Sequence, residues 1–120
     1  MQEVTKGLLE RLQDNAWIQQ NYWLSDIDGS SWDAWYGVVI LSTLPCCHIG
    51  YLTNMKSSQG RRFLYADFKI PNPIRIGTIH LESKTSVDTR AHQLNTIIPF
   101  LQESSQLAIF CGDMNLHDAW

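Results

Sequence analysis

Residues 63–81 read FLYADFKIPNPIRIGTIHL, and this stretch decides the predicted fold. Its two apolar runs, 63–70 and 75–81, are rich in aromatic and β-branched residues, which favour strands. The Pro-Asn-Pro segment at 71–73 predicts a hairpin-type connection, because proline cannot donate a hydrogen bond inside a sheet and favours turns. The stretch therefore predicts two neighbouring strands.

Further strands are predicted on both sides of this stretch. The compact apolar run YGVVIL at 36–41 predicts a buried strand, and residues 107–111 predict a second one. Residues 21–24 and 48–53 predict shorter strands. The polar segment 26–33 predicts a loop before YGVVIL.

Two amphipathic helices are predicted from apolar residues at helical spacing. The first covers residues 5–20 and the second about 87–103, where Thr85-x-x-Asp88 has the pattern of a capping box. Pro99 is expected to kink or shorten the second helix, because it removes one backbone hydrogen bond. The apolar positions are Leu8, Leu9, Leu12, Ala16 and Trp17 in the first helix and Ala91, Leu94, Ile97, Ile98 and Leu101 in the second. Together the elements predict an α/β layered domain, a mixed sheet covered by helices.

The composition predicts one mildly acidic globular domain. Of the 120 residues 44% are hydrophobic and the net charge is -3, which argues against a disordered chain and weakly against a basic DNA-wrapping protein. No apolar run approaches the roughly 18 residues of a membrane span, so no membrane partner is expected, and no secretory signal or lipidation motif is visible. The cysteines Cys46, Cys47 and Cys111 lack the spacing of a zinc site and favour a reducing compartment. Cys111 is expected to be buried.

Tryptophan and arginine residues allow both structural and functional interpretations. Trp17 and Trp23 are expected to pack in the core, whereas Trp32 and Trp35 lie in a loop and are candidates for a substrate wall. The pair at 61–62, Arg-Arg, is interpreted first as solvated charge in a turn and only second as a phosphate contact.

Polar side chains flank the apolar segments at three places. They are Glu3 at the start, His80 with Glu82 and Ser83 in the middle, and Asp113 with Asn115 near the end. Ligands of α/β sheets bind at the carboxyl ends of the strands, where these groups would converge. Carboxylate, imidazole and amide groups together would form a phosphoryl site with a hard cation such as Mg²⁺ or Mn²⁺. Taken singly, each residue is better explained as the polar end of a strand at the surface.

Five short blocks occur in a fixed order along nearly the whole chain. They are Gln2-Glu3-Val4, Tyr36-Gly37, Thr78-Ile79-His80-Leu81-Glu82-Ser83, Arg90-x-x-Gln93-Leu94 and Cys111-Gly112-Asp113-Met114-Asn115-Leu116-x-Asp118. In this order they resemble the endonuclease/exonuclease/phosphatase superfamily of metal-dependent phosphoesterases. The His-Leu-Glu-Ser and Gly-Asp-x-Asn-Leu-x-Asp blocks are similar to those of its tyrosyl-DNA phosphodiesterase branch. The resemblance implies part of a four-layer α/β sandwich, in which two mixed β-sheets are flanked by helices.

The resemblance implies a role for each matching residue. Glu3 would ligate the divalent cation, Mg²⁺ or alternatively Mn²⁺. Asp113 and Asn115 would position and activate the attacking water, and His80 would contact the scissile phosphate. The implied substrate contacts are Tyr36, Ser83 and His117, and the implied supporting residues are Glu82 and Arg90. His117 stands where the branch usually has an arginine, which binds phosphate through a bidentate fork.

The resemblance also implies a function and a partner. The implied activity is metal-dependent hydrolysis of 5′-phosphotyrosyl bonds at DNA ends during DNA repair, by a monomer in the nucleus and/or the cytoplasm. Residues 1–120 would be a central fragment, truncated at both ends, because the family's first-strand asparagine and its Ser-Asp-His motif have no match here. The 120-residue chain alone is therefore expected to be inactive. Two alternatives remain open: another nuclease or phosphatase of the superfamily, and a non-catalytic remnant of the fold.

Overall fold

The computed structural model describes residues 1–83, 86–103 and 107–116. These residues form one strand, two helices, six strands, a third helix and a last strand, in that order. The strands are β1 Val4–Thr5, β2 Trp23–Leu24, β3 Tyr36–Gly37, β4 Leu41–Ser42, β5 His48–Leu52, β6 Phe63–Ile70, β7 Asn72–His80 and β8 Leu107–Asp113. The helices are α1 Lys6–Asp14, α2 Ala16–Asn21 and α3 Val87–Gln102. The α/β class predicted from the sequence is confirmed.

A four-stranded mixed sheet in the order β5-β6-β7-β8 forms the larger part of the fold. The predicted hairpin is confirmed, but β7 begins already at Asn72, which pairs with Ile70, so only Pro71 lies between the strands. Strands β7 and β8 are parallel, and α3 provides the crossover that a parallel pair requires. Because parallel strands end at the same edge, His80 at the end of β7 lies opposite Asp113 at the end of β8.

The apolar run at 36–41 is not one strand, which corrects the sequence prediction. Its first two residues pair with β1 and its last residue begins β4, which pairs with β2. Between them, Val39 exchanges backbone hydrogen bonds with Met1, from Val39 N to the Met1 carbonyl at 3.1 Å and from the Met1 amino group to the Val39 carbonyl at 2.7 Å. The run therefore changes partner along its length, and no pattern within the run itself reveals this.

The single helix predicted for residues 5–20 is wrong, since the chain forms two helices there. Asn15 separates them, and its side-chain oxygen accepts hydrogen bonds from the backbone N–H groups of Trp17 and Ile18 at 3.0 and 3.1 Å. This cap satisfies donors that would otherwise lack partners at the start of α2. Of the apolar face predicted in this region only Leu9 is buried.

Helix α3 agrees with its prediction at both ends to within one residue. The predicted capping box stays a prediction, because Thr85 lies outside the described residues. Ser86, the N-cap residue of the helix, makes no side-chain cap hydrogen bond. Pro99 lies in the last turn, where its carbonyl still accepts the Glu103 N–H at 2.9 Å. Within the described residues no helix is long and apolar enough to cross a membrane.

The main core lies between α3 and the four-stranded sheet. Its fully buried members are Phe63, Ile79, Leu81 and Ile97, and the smaller core around β1 and α1 consists of Val4, Leu9 and Val39. Strand β8 is an exposed edge strand and not the buried strand that was predicted, with Leu107 67% exposed. The predicted burial of Cys111, Trp17 and Trp23 is also wrong, because all three side chains are exposed.

Candidate active site

Three of the predicted site residues meet at the edge of the sheet where β7 and β8 end. His80 is 5% exposed and lies between two carboxylates. Glu3 Oε1 is 3.8 Å from His80 Nδ1, and Asp113 Oδ2 is 3.6 Å from His80 Nε2. The two carboxylate side chains are 68% and 51% exposed, so they reach solvent while the imidazole does not. The arrangement presents acidic oxygens on both sides of a buried ring.

The hydrogen bond from Arg61 defines the protonation state of His80. Arg61 Nη1 lies 3.0 Å from His80 Nδ1. A guanidinium group can only donate, so Nδ1 accepts this hydrogen bond and the ring proton is on Nε2, the nitrogen that faces Asp113. Burial lowers the pKa of His80, the positive charge of Arg61 lowers it further, and the carboxylates of Asp113 and Glu3 oppose both effects. The imidazole is therefore neutral near pH 7 and donates through Nε2.

Arg61 is a functional candidate that the sequence interpretation considered only in second place, as a phosphate contact. Its side chain is buried, with only 8% of the residue exposed, and is not a solvated turn charge. The guanidinium carbon lies 5.1 Å from the centre of the Tyr36 ring, and Nη2 donates to Gln59 Oε1 at 3.4 Å. Its Nε is buried without a hydrogen-bond partner among the described residues. A buried guanidinium group beside His80, with an N–H donor that has no partner among the described residues, is suited to bind an anionic ligand.

Tyr36 lies at the same cavity as His80 and Arg61, and its predicted contact with substrate stays a prediction. The cavity wall also contains Trp32 and Tyr51. Arg62, the other member of the predicted pair, is used differently from Arg61: its Nε donates to Asp33 Oδ2 at 2.7 Å on the rim of the fold. Both arginines line the cavity, but Arg61 contacts His80 whereas Arg62 is held in an ion pair with Asp33.

Asn115 closes the loop after β8. Its side-chain nitrogen donates to the Leu81 carbonyl at 2.8 Å, and its backbone N–H donates to Asp113 Oδ1 at 2.9 Å. The residue has a positive φ of 47°, a conformation that asparagine tolerates better than most residues. These contacts bring Asn115 to the same edge as His80 and Asp113. His117, the remaining predicted substrate contact, lies outside the described residues.

Glu82 is buried beneath this edge and is fully hydrogen-bonded. Its carboxylate accepts the Ser57 hydroxyl at 2.7 Å, the Ser58 N–H at 3.0 Å and the Ser58 hydroxyl. Burial raises the pKa of Glu82, but the hydrogen bonds from Ser58 and Ser57 outweigh it and hold the pKa below its ordinary value. Arg90 donates to the Glu82 backbone carbonyl at 3.1 Å, and Gln93 accepts the Glu82 N–H at 3.0 Å. Glu82 and Arg90 therefore connect the end of β7 to the 57–58 loop and to α3.

Ser83 contacts Gln59 and extends this network towards the cavity. Both its N–H and its hydroxyl donate to Gln59 Oε1 at 3.0 Å. Because the same oxygen accepts from Arg61, Ser83 contributes to the position of the guanidinium group. The contacts of Ser83 support the site residues; its predicted contact with substrate stays a prediction.

The Glu82 network leads to a prediction about stability. Replacement of Glu82 by Gln turns one acceptor into a donor that faces the serine donors, so we expect the free energy of unfolding to fall by about 1–3 kcal/mol at pH 7. A carboxyl with a depressed folded-state pKa stabilises the fold above its ordinary pKa and loses this effect as the pH falls through the folded value. The difference between wild type and variant should therefore narrow in acid.

Urea unfolding at pH 7 and at lower pH measures both effects. The matched control is Glu10→Gln, which changes an exposed glutamate of α1 and should stay within about 0.5 kcal/mol of wild type. Equal losses for the two variants, or a pH-independent loss for Glu82→Gln, would contradict the role assigned to the network.

The described residues do not complete a metal site. Glu3 and Asp113 offer the oxygen ligands that Mg²⁺ prefers. However, within residues 1–83, 86–103 and 107–116 no group of three His, Cys, Asp or Glu side chains lies close enough together to hold a metal ion. The carboxylates lie on opposite sides of the imidazole, next to its two different nitrogens. The described part of the chain thus offers separate carboxylate ligands and not a complete set of ligands around one metal position.

Solved structures share this arrangement of elements. The chain aligns with TDP2 from D. rerio complexed with single strand DNA product at a TM-score of 0.80 and 23% identity, over 98% of this chain and 47% of that chain. It aligns with TDP2 from C. elegans at a TM-score of 0.70 and 18% identity, over 98% and 37%. Beta toxin from Staphylococcus aureus aligns at a TM-score of 0.63 and 17% identity, over 94% and 49%. No protein-family model matches the chain, and no curated protein matches it by sequence.

These alignments identify the fold. The chain has the fold of the endonuclease/exonuclease/phosphatase superfamily, as the resemblance of its five sequence blocks predicted. It also shares the fold of TDP2, and it spans about half the length of the D. rerio TDP2 chain that it matches. At identities below 25% the alignments establish a common fold. The chemistry that the site can perform depends on its own residues.

Proposed function

We propose that the chain carries the phosphate-binding part of a metal-dependent phosphodiesterase that hydrolyses 5′-phosphotyrosyl bonds at DNA ends. The observation that carries this proposal is the buried Arg61–His80 pair, which lies between the Glu3 and Asp113 carboxylates. The fold that the chain shares with TDP2 supports it, because this architecture and the chemistry of the site point to the same class of hydrolase.

Arg61 and His80 are suited to bind the scissile phosphate. A phosphodiester carries a negative charge that repels the attacking water, and this charge must be neutralised before hydrolysis proceeds. Arg61 supplies a permanent positive charge, and its buried Nε has a donor to spare. His80 supplies a neutral donor through Nε2. Both groups are held in place before substrate arrives, which is the property that makes electrostatic stabilisation effective.

Asp113 is suited to act as the base. One of its oxygens accepts the Asn115 N–H, and the side chain is half exposed, so the second oxygen can accept a hydrogen bond from water. In the proposed step the water oxygen forms a bond to phosphorus and its proton passes to Asp113. The bond from phosphorus to the tyrosine oxygen breaks, and the phenolate leaves with the bonding electrons. A phenol has a pKa of about 10 and is a much better leaving group than a sugar alkoxide, which favours a tyrosyl substrate.

We propose Mg²⁺ as the cation of the complete enzyme, with Mn²⁺ as the alternative. Glu3 is the described residue that would ligate it, and its remaining protein ligands would come from outside the described residues. When bound, such a cation neutralises charge on the phosphate and the leaving oxygen.

The incomplete ligand set leads to a prediction for the 120-residue chain. We expect it to bind Mg²⁺ weakly, because a single exposed carboxylate does not displace the tightly held waters of this cation. Isothermal titration calorimetry should show no saturation at one site in the submillimolar range, and Glu3→Gln should give the same isotherm. Tight one-site binding that Glu3→Gln abolishes would contradict this expectation.

The partner and compartment follow from the same proposal. We propose that the enzyme acts as a monomer on DNA 5′ ends that carry tyrosine or a peptide, and that it resides in the nucleus and/or the cytoplasm. Size-exclusion chromatography with light scattering and imaging of a tagged protein test these two points.

The deciding experiment compares three oligonucleotides, with a 5′-phosphotyrosyl, a plain 5′-phosphate or a plain 3′-phosphate end, in a polypeptide of TDP2 length that includes this chain. We expect release of tyrosine from the first and little reaction with the others. Preference for a plain phosphate would favour the second candidate, another nuclease or phosphatase. Absence of turnover on all three would favour a non-catalytic remnant.

A further inference from the structure

Trp35 is unusually exposed for a tryptophan beside a candidate active site. The residue is 74% exposed and directly precedes β3. Its ring packs edge-on against Tyr36, with the ring centroids 4.7 Å apart and the planes at 77°. An edge-to-face pair is favourable, and the exposure of Trp35 shows that most of its surface remains open to solvent.

Trp35 continues a row of side chains that begins at His80. Arg61 lies 3.0 Å from His80, its guanidinium carbon lies 5.1 Å from the Tyr36 ring centre, and Trp35 follows at 4.7 Å. The row thus leads from the proposed phosphate position to solvent. Trp35 and Tyr36 also line an open cleft of about 330 Å³.

The loop that carries Trp35 is anchored to the sheet. Asp33 forms an ion pair with Arg62, at the residue just before β6. Arg62 also donates to the Ser31 carbonyl, so two points of the loop are bound to one guanidinium group. Trp35 is therefore presented by an anchored segment, which reduces the entropy lost when a ligand stacks on it.

We propose that Trp35 stacks on a nucleobase at the 5′ end of the DNA strand whose phosphate is bound by Arg61 and His80. This inference rests on the proposed function. A nucleotide joins a phosphate to a flat aromatic ring through a sugar, and the row of side chains offers a binding group for each end. Stacking is sequence-tolerant because every base has an aromatic face, so Trp35 contributes affinity without selecting one base.

The test measures binding of single strands by fluorescence anisotropy, using the protein of TDP2 length. The oligonucleotides carry a 5′-phosphate and a 3′-fluorophore, and one of them has abasic sites at its first two positions. Trp35→Ala should weaken binding of the normal strand roughly 5- to 150-fold and leave the abasic strand unchanged. Trp35→Phe should restore most of the affinity, because it retains an aromatic face.

Trp17→Ala is the matched control. Trp17 is also exposed and also packs against a tyrosine, Tyr22, at 5.3 Å between ring centroids, but it lines neither the His80 cavity nor the Trp35 cleft. We expect this variant to bind both strands as the wild type does.

Three results would overturn the proposal. Equal losses on the normal and abasic strands would show that no base is stacked. A lowered melting temperature with unchanged affinity would show that Trp35 packs against protein. A loss confined to strands with a 5′-phosphotyrosyl end would show that the ring contacts the leaving group. Failure of the proposed function is distinguishable, because hydrolysis of 5′-phosphotyrosyl DNA would then be absent while the base-dependent loss in Trp35→Ala persists.

Discussion

Turnover of 5′-phosphotyrosyl DNA should fall by about 10²–10⁴-fold when Asp113 is replaced by Asn in a polypeptide of TDP2 length that includes this chain. The substitution removes the basic oxygen that would accept the proton from water. It keeps an oxygen that can still accept the Asn115 N–H, so the loop after β8 should remain in place. Substrate affinity and melting temperature are therefore expected to change little, and kcat should carry the effect.

Asp28→Asn provides the control for this experiment. Asp28 is an exposed aspartate whose Oδ1 accepts the Ser30 N–H at 2.8 Å, so it forms the same kind of side-chain turn without belonging to the candidate site. Its replacement should leave turnover unchanged. If Asp113→Asn lowers the melting temperature and leaves the rate per folded molecule intact, Asp113 is a structural residue and not the base.

The free energy of unfolding should fall by about 3 kcal/mol or more when Gly112 is replaced by Ala. Gly112 has a φ of 152°, which an L-residue rarely adopts. A Cβ at this position would also overlap the backbone carbonyl oxygen of Ile79 on the neighbouring strand, and a backbone group cannot move aside as a flexible side chain can. Because Asp113 is the next residue, activity should fall together with stability.

Gly7→Ala is the matched control for Gly112→Ala. A Cβ at Gly7 would meet nothing within 4 Å, and the residue lies in α1. Alanine there should be neutral or stabilising by up to about 1 kcal/mol, because it is the better helix former. Chemical denaturation of both variants checks the pair. Near-wild-type stability of Gly112→Ala would show that β8 can shift away from β7 without cost.

The hairpin and helix α3 could be predicted from the sequence, because their signals are local. Residues 63–70 were predicted as a strand and are observed as Phe63–Ile70, and the helix predicted for 87–103 is Val87–Gln102. Each depends on side-chain type and spacing within a few turns of chain. The break between the helices at Asn15 has a local signal as well, since asparagine is a preferred N-cap residue. The apolar residues at helical spacing on both sides of Asn15 nevertheless predicted one continuous helix.

Strand pairing of the YGVVIL run could not be predicted, because its partners are distant in sequence. Tyr36 pairs with Thr5, whereas Leu41 pairs with Leu24. No property of the run states where one partner ends and the other begins. The predicted burial of β8 was wrong for the same reason. Its apolar residues predict a strand, but only the order of the strands in the sheet shows that β8 lies at an edge.

By itself the sequence determined which chemical groups are available and which of them flank the apolar segments: Glu3, His80 and Asp113 were all identified there. Only the tertiary structure decided that Arg61 is buried against His80 and that Trp35 is exposed beside Tyr36. The physical reason is that the type of a strand or helix depends on neighbours along the chain. Burial, pKa and the pairing of charges depend on residues that folding brings together from distant positions.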